Sequence, residues 1–263
     1  MKSKVYTSIE EFKEQNNLMK TELPFSTDLG VLRESVKIGN LELENRLVCQ
    51  AMEGCDGTFD GRPGELTMRR YERLSKGGAG LIWFEATAVC GEGRANPRQL
   101  CINGQNLDSF KRAVESIKEW GLKQNGYAPA VIMQATHSGR YSKPEGKPAP
   151  IIAYNNPIFE KDGPIDKSRI ITDEGLDRVH DNLVSAALLA QKAGFDGVDI
   201  KCCHRYLNSE LLSAYTREGR YGGSFENRTR LLRESVRDSV SACKKDFTVT
   251  SRMNVYDGFE YPY

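Results

Sequence analysis

Short apolar runs alternate with longer amphipathic runs from about residue 45 onward. The short runs predict β-strands at residues 47–51, 80–84, 130–134, 197–201 and 247–252. In the longer runs apolar residues recur every three or four positions, which predicts helices at residues 65–76, 107–123, 173–193 and 225–244. Such alternation is typical of a parallel sheet built from repeated strand–helix units.

The residues before this pattern are different in character. Ser8 and Glu11 have the spacing of a capping box, which predicts the start of a short helix, and residues 23–28 have the composition of a linker. We therefore divide the chain into an N-terminal extension, residues 1–29, and an α/β part, residues 30–263. The first residues are polar and carry no secretory signal, so we expect a cytoplasmic protein.

Five strand–helix units with right-handed crossovers form part of a barrel, whereas eight strands are needed to close one. The predicted fold class is therefore α/β, an incomplete (β/α)₈ TIM barrel. An open sheet of this kind leaves two unpaired edges and an uncovered apolar face. For this reason we expect a truncated barrel or one part of a larger assembly, completed by a further segment or by another copy in a homo-oligomer.

Composition excludes several classes of function. The 37 basic residues nearly balance the 36 acidic ones and form no basic block, so nucleic-acid binding is not expected. No apolar stretch is long enough to span a membrane. The seven cysteines include no Cys-x-x-Cys pair and the three histidines are scattered, which predicts reduced thiols, no metal site and no iron–sulfur cluster in this segment.

Polar residues follow the predicted strands where each strand ends. Gln134 ends the third strand, Lys201, His204 and Tyr206 follow the fourth, and Arg252 ends the fifth. Because the carboxyl ends of parallel strands lie on one face of such a fold, we expect these side chains to converge. Residues 135–171, long and rich in proline, predict a functional loop beside them.

Five sequence motifs occur at residues 45–52, 85–89, 137–140, 193–200 and 221–228. Their order is the one expected of the old yellow enzyme family. Across about residues 30 to 255 the chain resembles this family, whose members are FMN-bearing (β/α)₈ barrels. Five ordered motifs are far more specific than any single one.

The resemblance implies a set of cofactor contacts. Gln134 matches the family glutamine that binds the pyrimidine edge of the flavin, and Arg252 matches the arginine near N1 and O2. Ala51, Met52 and Ala86 match the residues that line the ring, with the Ala86 amide near N5 and O4. The alternative for each polar residue is a buried group that satisfies a neighbouring backbone atom.

The resemblance also implies the substrate side of the site. Lys201 and His204 match two donors, three residues apart, that hold the oxygen conjugated to the reacting alkene. Tyr206 matches the tyrosine that protonates the α-carbon, and we expect its phenol pKa to be near the ordinary value of about 10. Lysine departs from the family pattern. It favours a carboxylate or thioester-activated substrate, unless the side chain turns away or is a solvated residue at a strand end.

The implied function is FMN-dependent transfer of hydride from NAD(P)H to an activated C=C bond of a small molecule: an enone, enoate or enoyl thioester. The family holds the FMN phosphate with loops after strands seven and eight, which this sequence does not contain. The alternative is therefore a catalytically incomplete fragment or a subunit that another chain or segment completes. Another flavin reaction, such as amine demethylation, also stays open.

Overall fold

The first described residues form a capped helix and a short hairpin, in a computed structural model that describes residues 5–21 and 23–257. Helix α1 covers Ile9–Leu18, and the Ser8 hydroxyl accepts a hydrogen bond from the Glu11 N–H at 3.1 Å. The predicted helix start is therefore confirmed. Strands β1 (Val36–Ile38) and β2 (Leu41–Leu43) pair antiparallel, in a hairpin that the hydrophobic pattern did not predict.

Five parallel strands follow, and they lie side by side in the order in which they occur along the chain. They are β3 (Val48–Cys49), β4 (Leu81–Ala88), β5 (Ala130–Thr136), β6 (Gly197–Ile200) and β7 (Thr248–Thr250). All five predicted strands are present. A strand order without reversal is the arrangement of a barrel, whereas a doubly wound sheet reverses its order at a switch point.

The connections between these strands are helical, as predicted. The helices are α2 (Glu65–Lys76), α3 (Leu107–Asn125), α4 (Asp173–Lys192), α5 (Leu207–Leu211), α6 (Phe225–Arg228) and α7 (Arg230–Ala242). The main core lies between them and the sheet: the Tyr71 and Phe84 rings stack at 4.4 Å, and Phe195 meets Phe84 edge to face at 5.2 Å. Across residues 5–21 and 23–257, no helix is long and apolar enough to span a bilayer.

The opposite face of the sheet is covered at one end by the hairpin. Leu41 and Leu43 pack against Leu81 and Ile132, which lie near the amino ends of β4 and β5. This second cluster is apolar and removes the hairpin leucines from water. The carboxyl ends of the same strands are left to polar groups.

Several boundaries differ from the predicted ones: β4 and β5 end four and two residues later than predicted, and three further differences have local reasons. The edge strands β3 and β7 are shorter than the runs at 47–51 and 247–252, because each has a neighbour on one side only. The single helix predicted at 225–244 is two helices, because Thr229 ends α6 and its hydroxyl bonds the Phe225 carbonyl at 2.8 Å. That hydroxyl competes with the backbone ladder of the helix.

A buried ion cluster ties the loop at residues 135–171 to the segment after β6. The Arg140 guanidinium donates to Glu210 Oε1 at 2.9 Å and also contacts Glu160. The side chains of Arg140, Glu160 and Glu210 are 8%, 5% and 0% exposed. The Ala153 N–H also donates to Glu210, at 3.1 Å. One cation therefore balances two buried carboxylates and fixes the loop next to the strand ends.

Replacing this cation tests how far the cluster stabilises the fold. Arg140→Met leaves two buried carboxylates without a cation, so we expect the free energy of unfolding to fall by about 3–5 kcal/mol. Arg46→Met, which removes an exposed pair with Glu34, changes it by at most about 1 kcal/mol. Urea unfolding measures both. The deficit of Arg140→Met shrinks at acidic pH, since burial already raises the pKa of Glu210 and its protonation removes the buried charge. Equal losses of unfolding free energy in the two variants would contradict a stabilising role of the Arg140 cluster.

Candidate functional site

The carboxyl ends of the strands surround a cavity of about 290 Å³. Six of the residues that line it were predicted as site residues from the sequence: Ala51, Met52, Ala86, Gln134, Lys201 and His204. They come from the ends of four neighbouring strands, β3 to β6. Glu53 also lines the cavity, and sequence reasoning gave it no role. The predicted convergence of these side chains is therefore found in the structure.

Asp199, at 0% exposure, connects the strands beneath this cavity. Its carboxylate accepts hydrogen bonds from Gln134 Nε2 at 2.6 Å, from Trp83 Nε1 at 3.0 Å and from the Arg252 backbone N–H at 2.7 Å. Burial raises the pKa of Asp199, against the lowering effect of these bonds. One N–H of the Gln134 amide is thereby used, and its oxygen and second N–H remain for a ligand.

Lys201, Glu53 and Tyr206 form a compact group at the cavity. Lys201 Nζ lies 3.7 Å from Glu53 Oε1 and 3.9 Å from the centroid of the Tyr206 ring. The Tyr206 hydroxyl donates to the same Glu53 oxygen at 3.3 Å. Lys201 is only 4% exposed, which rules out the interpretation of this residue as a solvated lysine at a strand end.

The burial of this group changes its proton affinities. Burial lowers the pKa of Lys201 and raises that of Glu53, and in each case the charge of the partner opposes the change. Burial and the Glu53 charge raise the pKa of the Tyr206 phenol. The expectation of an ordinary phenol pKa is therefore wrong, because a phenolate here would be desolvated and would face a carboxylate.

His204 sits in a strained turn between β6 and α5. His204 and Arg205 both have left-handed backbone, with φ of 62° and 58°. Two consecutive non-glycine residues in this region cost about 1–3 kcal/mol each, and such strain is characteristic of functional sites. Burial, followed by the charges of Lys201 and Arg252, lowers the pKa of the imidazole. His204 is therefore a neutral donor near pH 7.

Arg252 is not among the described residues that line the cavity, but it supplies positive charge nearby. Its charge lowers the pKa of both Lys201 and His204. Its backbone is fixed, because the Arg252 N–H binds Asp199 and its carbonyl accepts from the Cys202 N–H at 2.9 Å. The predicted residue is thus beside the site, and a direct contact with a cofactor stays a prediction.

One cluster of potential metal ligands is found among residues 5–21 and 23–257. Atoms of Cys90, Glu92 and His137 are within 4.8 Å of one another. However, the Gly139 N–H donates to His137 Nδ1 at 3.1 Å, so the proton of the neutral ring resides on Nε2, the buried atom without a hydrogen-bond partner. A protonated Nε2 cannot coordinate a metal. The absence of a metal therefore stays a prediction.

Comparison with known proteins gives the family. The model of the NADH:flavin oxidoreductase / NADH oxidase family matches residues 32–261. The chain belongs to this family. The NADPH dehydrogenase of Halalkalibacterium halodurans is 34% identical to it over 211 residues, which cover 78% of this chain and 58% of that enzyme. The chain therefore spans little more than half the length of this curated relative.

Solved structures give the fold. Old Yellow Enzyme from Pichia sp. AKU4542 aligns with a TM-score of 0.71 at 24% identity, over 84% of this chain and 59% of that one. The 2-naphthoyl-CoA reductase complex aligns with a TM-score of 0.73 at 22% identity, over 84% of this chain and 35% of that one. These alignments confirm the partial (β/α)₈ barrel, and the match to the family model confirms the family resemblance that the motifs indicated.

The cavity suits the cofactor of this family, which is FMN. Ala51, Met52 and Ala86 supply an apolar surface, and Met52 is 68% exposed at its open side. Gln134 supplies an amide at the buried side, at 1% exposure. A flat ring with apolar faces and one polar edge needs this combination of groups. The residues present therefore fit the ring of the flavin.

The shared acceptor beneath the cavity can be tested by a single substitution. Asp199→Asn replaces one carboxylate oxygen with an N–H₂ group, which then faces either the Arg252 N–H or the donors of Gln134 and Trp83. We therefore expect the free energy of unfolding to fall by about 2–4 kcal/mol. Asp246→Asn, at an exposed position, changes it by at most about 0.5 kcal/mol. Thermal unfolding measures both variants. If the Asp199→Asn protein is as stable as the control, the shared acceptor is dispensable.

Proposed function

We propose that this chain forms the flavin-ring and substrate-binding part of an FMN-dependent oxidoreductase, which takes hydride from NAD(P)H and reduces an activated carbon–carbon double bond. The observation that carries the proposal is the cavity shared by Gln134, Lys201 and His204 at successive strand ends. Membership of the NADH:flavin oxidoreductase family supports the coarser part, an NAD(P)H-dependent flavin enzyme.

The cofactor side of the cavity has defined tasks. Ala51, Met52 and Ala86 would line the ring, and Gln134 would bind its polar edge with the atoms that Asp199 leaves available. Arg252 adds positive charge close to the site, which favours negative charge on a reduced ring. When bound, FMN supplies the hydride chemistry, accepting from NAD(P)H and donating to the alkene.

The substrate side combines two donors with one acid. Lys201 and His204 line the cavity together and would donate to the oxygen conjugated to the alkene, where negative charge develops during the reaction. A buried ammonium is a stronger electrostatic partner than a solvated one. It favours an oxygen that carries formal negative charge, so enoates are preferred over simple enones. Tyr206, in contact with Lys201, would protonate the α-carbon.

A second candidate is a catalytically incomplete fragment or a subunit that another chain or segment completes. The observation that favours it is the open sheet, since β3 and β7 each pair with one neighbour among the described strands. Purification of the 263-residue chain and of a version with any downstream coding sequence separates the two. A colourless short chain beside a yellow longer protein supports the second candidate. Flavin absorbance in the short chain supports the first.

The role of Tyr206 gives a direct kinetic test. In the flavin-bound protein, Tyr206→Phe should slow the alkene-reducing half-reaction by about 10²–10⁴-fold, the range expected for loss of a general acid. Reduction of the flavin by NAD(P)H should be unchanged. Stopped-flow absorbance separates the two half-reactions, and Tyr215→Phe, at a 66% exposed position, is the matched control. A normal rate of enoate reduction in the Tyr206→Phe protein refutes the role given to this tyrosine.

A further inference from the structure

Glu53 is a carboxylate inside the cavity that the reaction described above does not use. It follows β3, and its side chain is 19% exposed. The backbone directly after it is held in place, because the Gly54 N–H donates to Glu85 Oε2 at 3.0 Å. Glu85 is itself 1% exposed and accepts from Arg70 Nη2 at 2.7 Å. Glu53 is therefore positioned by a buried network, with one edge still open to solvent.

The contact between Glu53 and Tyr206 connects this carboxyl group to the proposed acid. The Tyr206 hydroxyl donates to Glu53 Oε1 at 3.3 Å, across 153 positions of sequence. A phenol that protonates a substrate must regain a proton in every turnover. The ionisable group in hydrogen-bond contact with this hydroxyl is Glu53.

The other groups that face Glu53 decide which of its charge states is favoured. Lys201 Nζ lies 3.7 Å from Oε1, His204 lines the same cavity, and Cys55 is close enough that the Glu53 charge raises its thiol pKa. Burial raises the pKa of Glu53 by more than Lys201 lowers it, and burial also lowers the pKa of Lys201. The raised pKa of Glu53 extends the pH range in which this carboxyl group carries a proton.

We propose that Glu53 is a proton-relay residue that returns a proton to Tyr206 while the alkene is reduced. The inference rests on the proposed function. The proton of the Tyr206 hydroxyl moves to the α-carbon, so the O–H bond breaks as the new C–H bond forms. The proton of Glu53 then moves to the phenol oxygen, so the Glu53 O–H bond breaks as the phenol O–H bond forms again. Solvent then reprotonates the carboxylate at its open edge. With FMN bound, the hydride at the β-carbon would come from NAD(P)H, so the alkene would be reduced and NAD(P)H oxidised.

The pH dependence of the alkene-reducing half-reaction separates this role from a structural one. Only protonated Glu53 can pass on a proton, so the rate falls as pH rises through the pKa of Glu53. Glu53→Gln keeps the size of the side chain and an acceptor for Tyr206, yet has no acidic proton. We expect it to lose this pH dependence and to slow the half-reaction by at least about 10-fold. Reduction of the flavin by NAD(P)H should be unchanged.

A double-mutant cycle then tests whether Glu53 acts through Tyr206. In the Tyr206→Phe background, Glu53→Gln should not lower the rate of the alkene-reducing half-reaction further, because no phenol is left to receive the proton. Glu53→Asp keeps an acid and should retain the pH dependence, so the test does not rest on the glutamine substitution alone. Glu115→Gln, exposed on α3, is the matched control and should match the unsubstituted enzyme.

The outcomes distinguish the relay from the function on which it rests. The relay is overturned if the rate losses of the two single variants multiply in the double variant. It is also overturned if the Glu53→Gln protein keeps the normal rate and pH dependence. Either result leaves alkene reduction intact. A flavin-bound unsubstituted protein that reduces no activated alkene overturns the proposed function, and the relay with it. The test uses the full-length protein loaded with FMN, with enoates and enoyl thioesters as probes.

Discussion

Asp199 accepts hydrogen bonds from groups on β4 and β5 and from the segment after β7, at a position from which water is excluded. A buried carboxylate is costly unless several donors satisfy it, so these strands are held in one relative arrangement. Gln134 is oriented by this bond, and Arg252 is brought beside the cavity by its backbone. The geometry of the candidate site therefore depends on a residue that does not itself line the cavity.

The sheet face opposite the main core is apolar at one end and polar at the other. At the amino ends, the leucines of the β1–β2 hairpin pack on Leu81 and Ile132 and exclude water. At the carboxyl ends, the same sheet presents Gln134, Lys201 and their neighbours to a cavity. The helices cover the outer face with the main core, which keeps the strands rigid. Rigid strands with polar ends are suited to hold a flat ring and a substrate at fixed distances.

Much of the candidate site was predictable, because the carboxyl ends of parallel strands converge whatever sequence lies between them. Six cavity residues, Gln134 and Lys201 among them, were identified in this way together with the family motifs. The hairpin was missed although Gly39–Asn40 is a turn signal, since its strands are only three residues long. Glu53 and Asp199 were missed because their roles arise from contacts with residues far away in sequence. The raised phenol pKa of Tyr206 has the same origin.

We propose that side chains from separate strand ends surround one redox ring. A crystal structure of the full-length protein with FMN and a bound enoate tests it most directly. We expect the ring to lie against Ala51, Met52 and Ala86, with the Gln134 amide at its polar edge. The substrate oxygen should lie between Lys201 and His204, and the Tyr206 hydroxyl should face the α-carbon. A flavin bound elsewhere, or a ring without contact to Gln134, would contradict this arrangement.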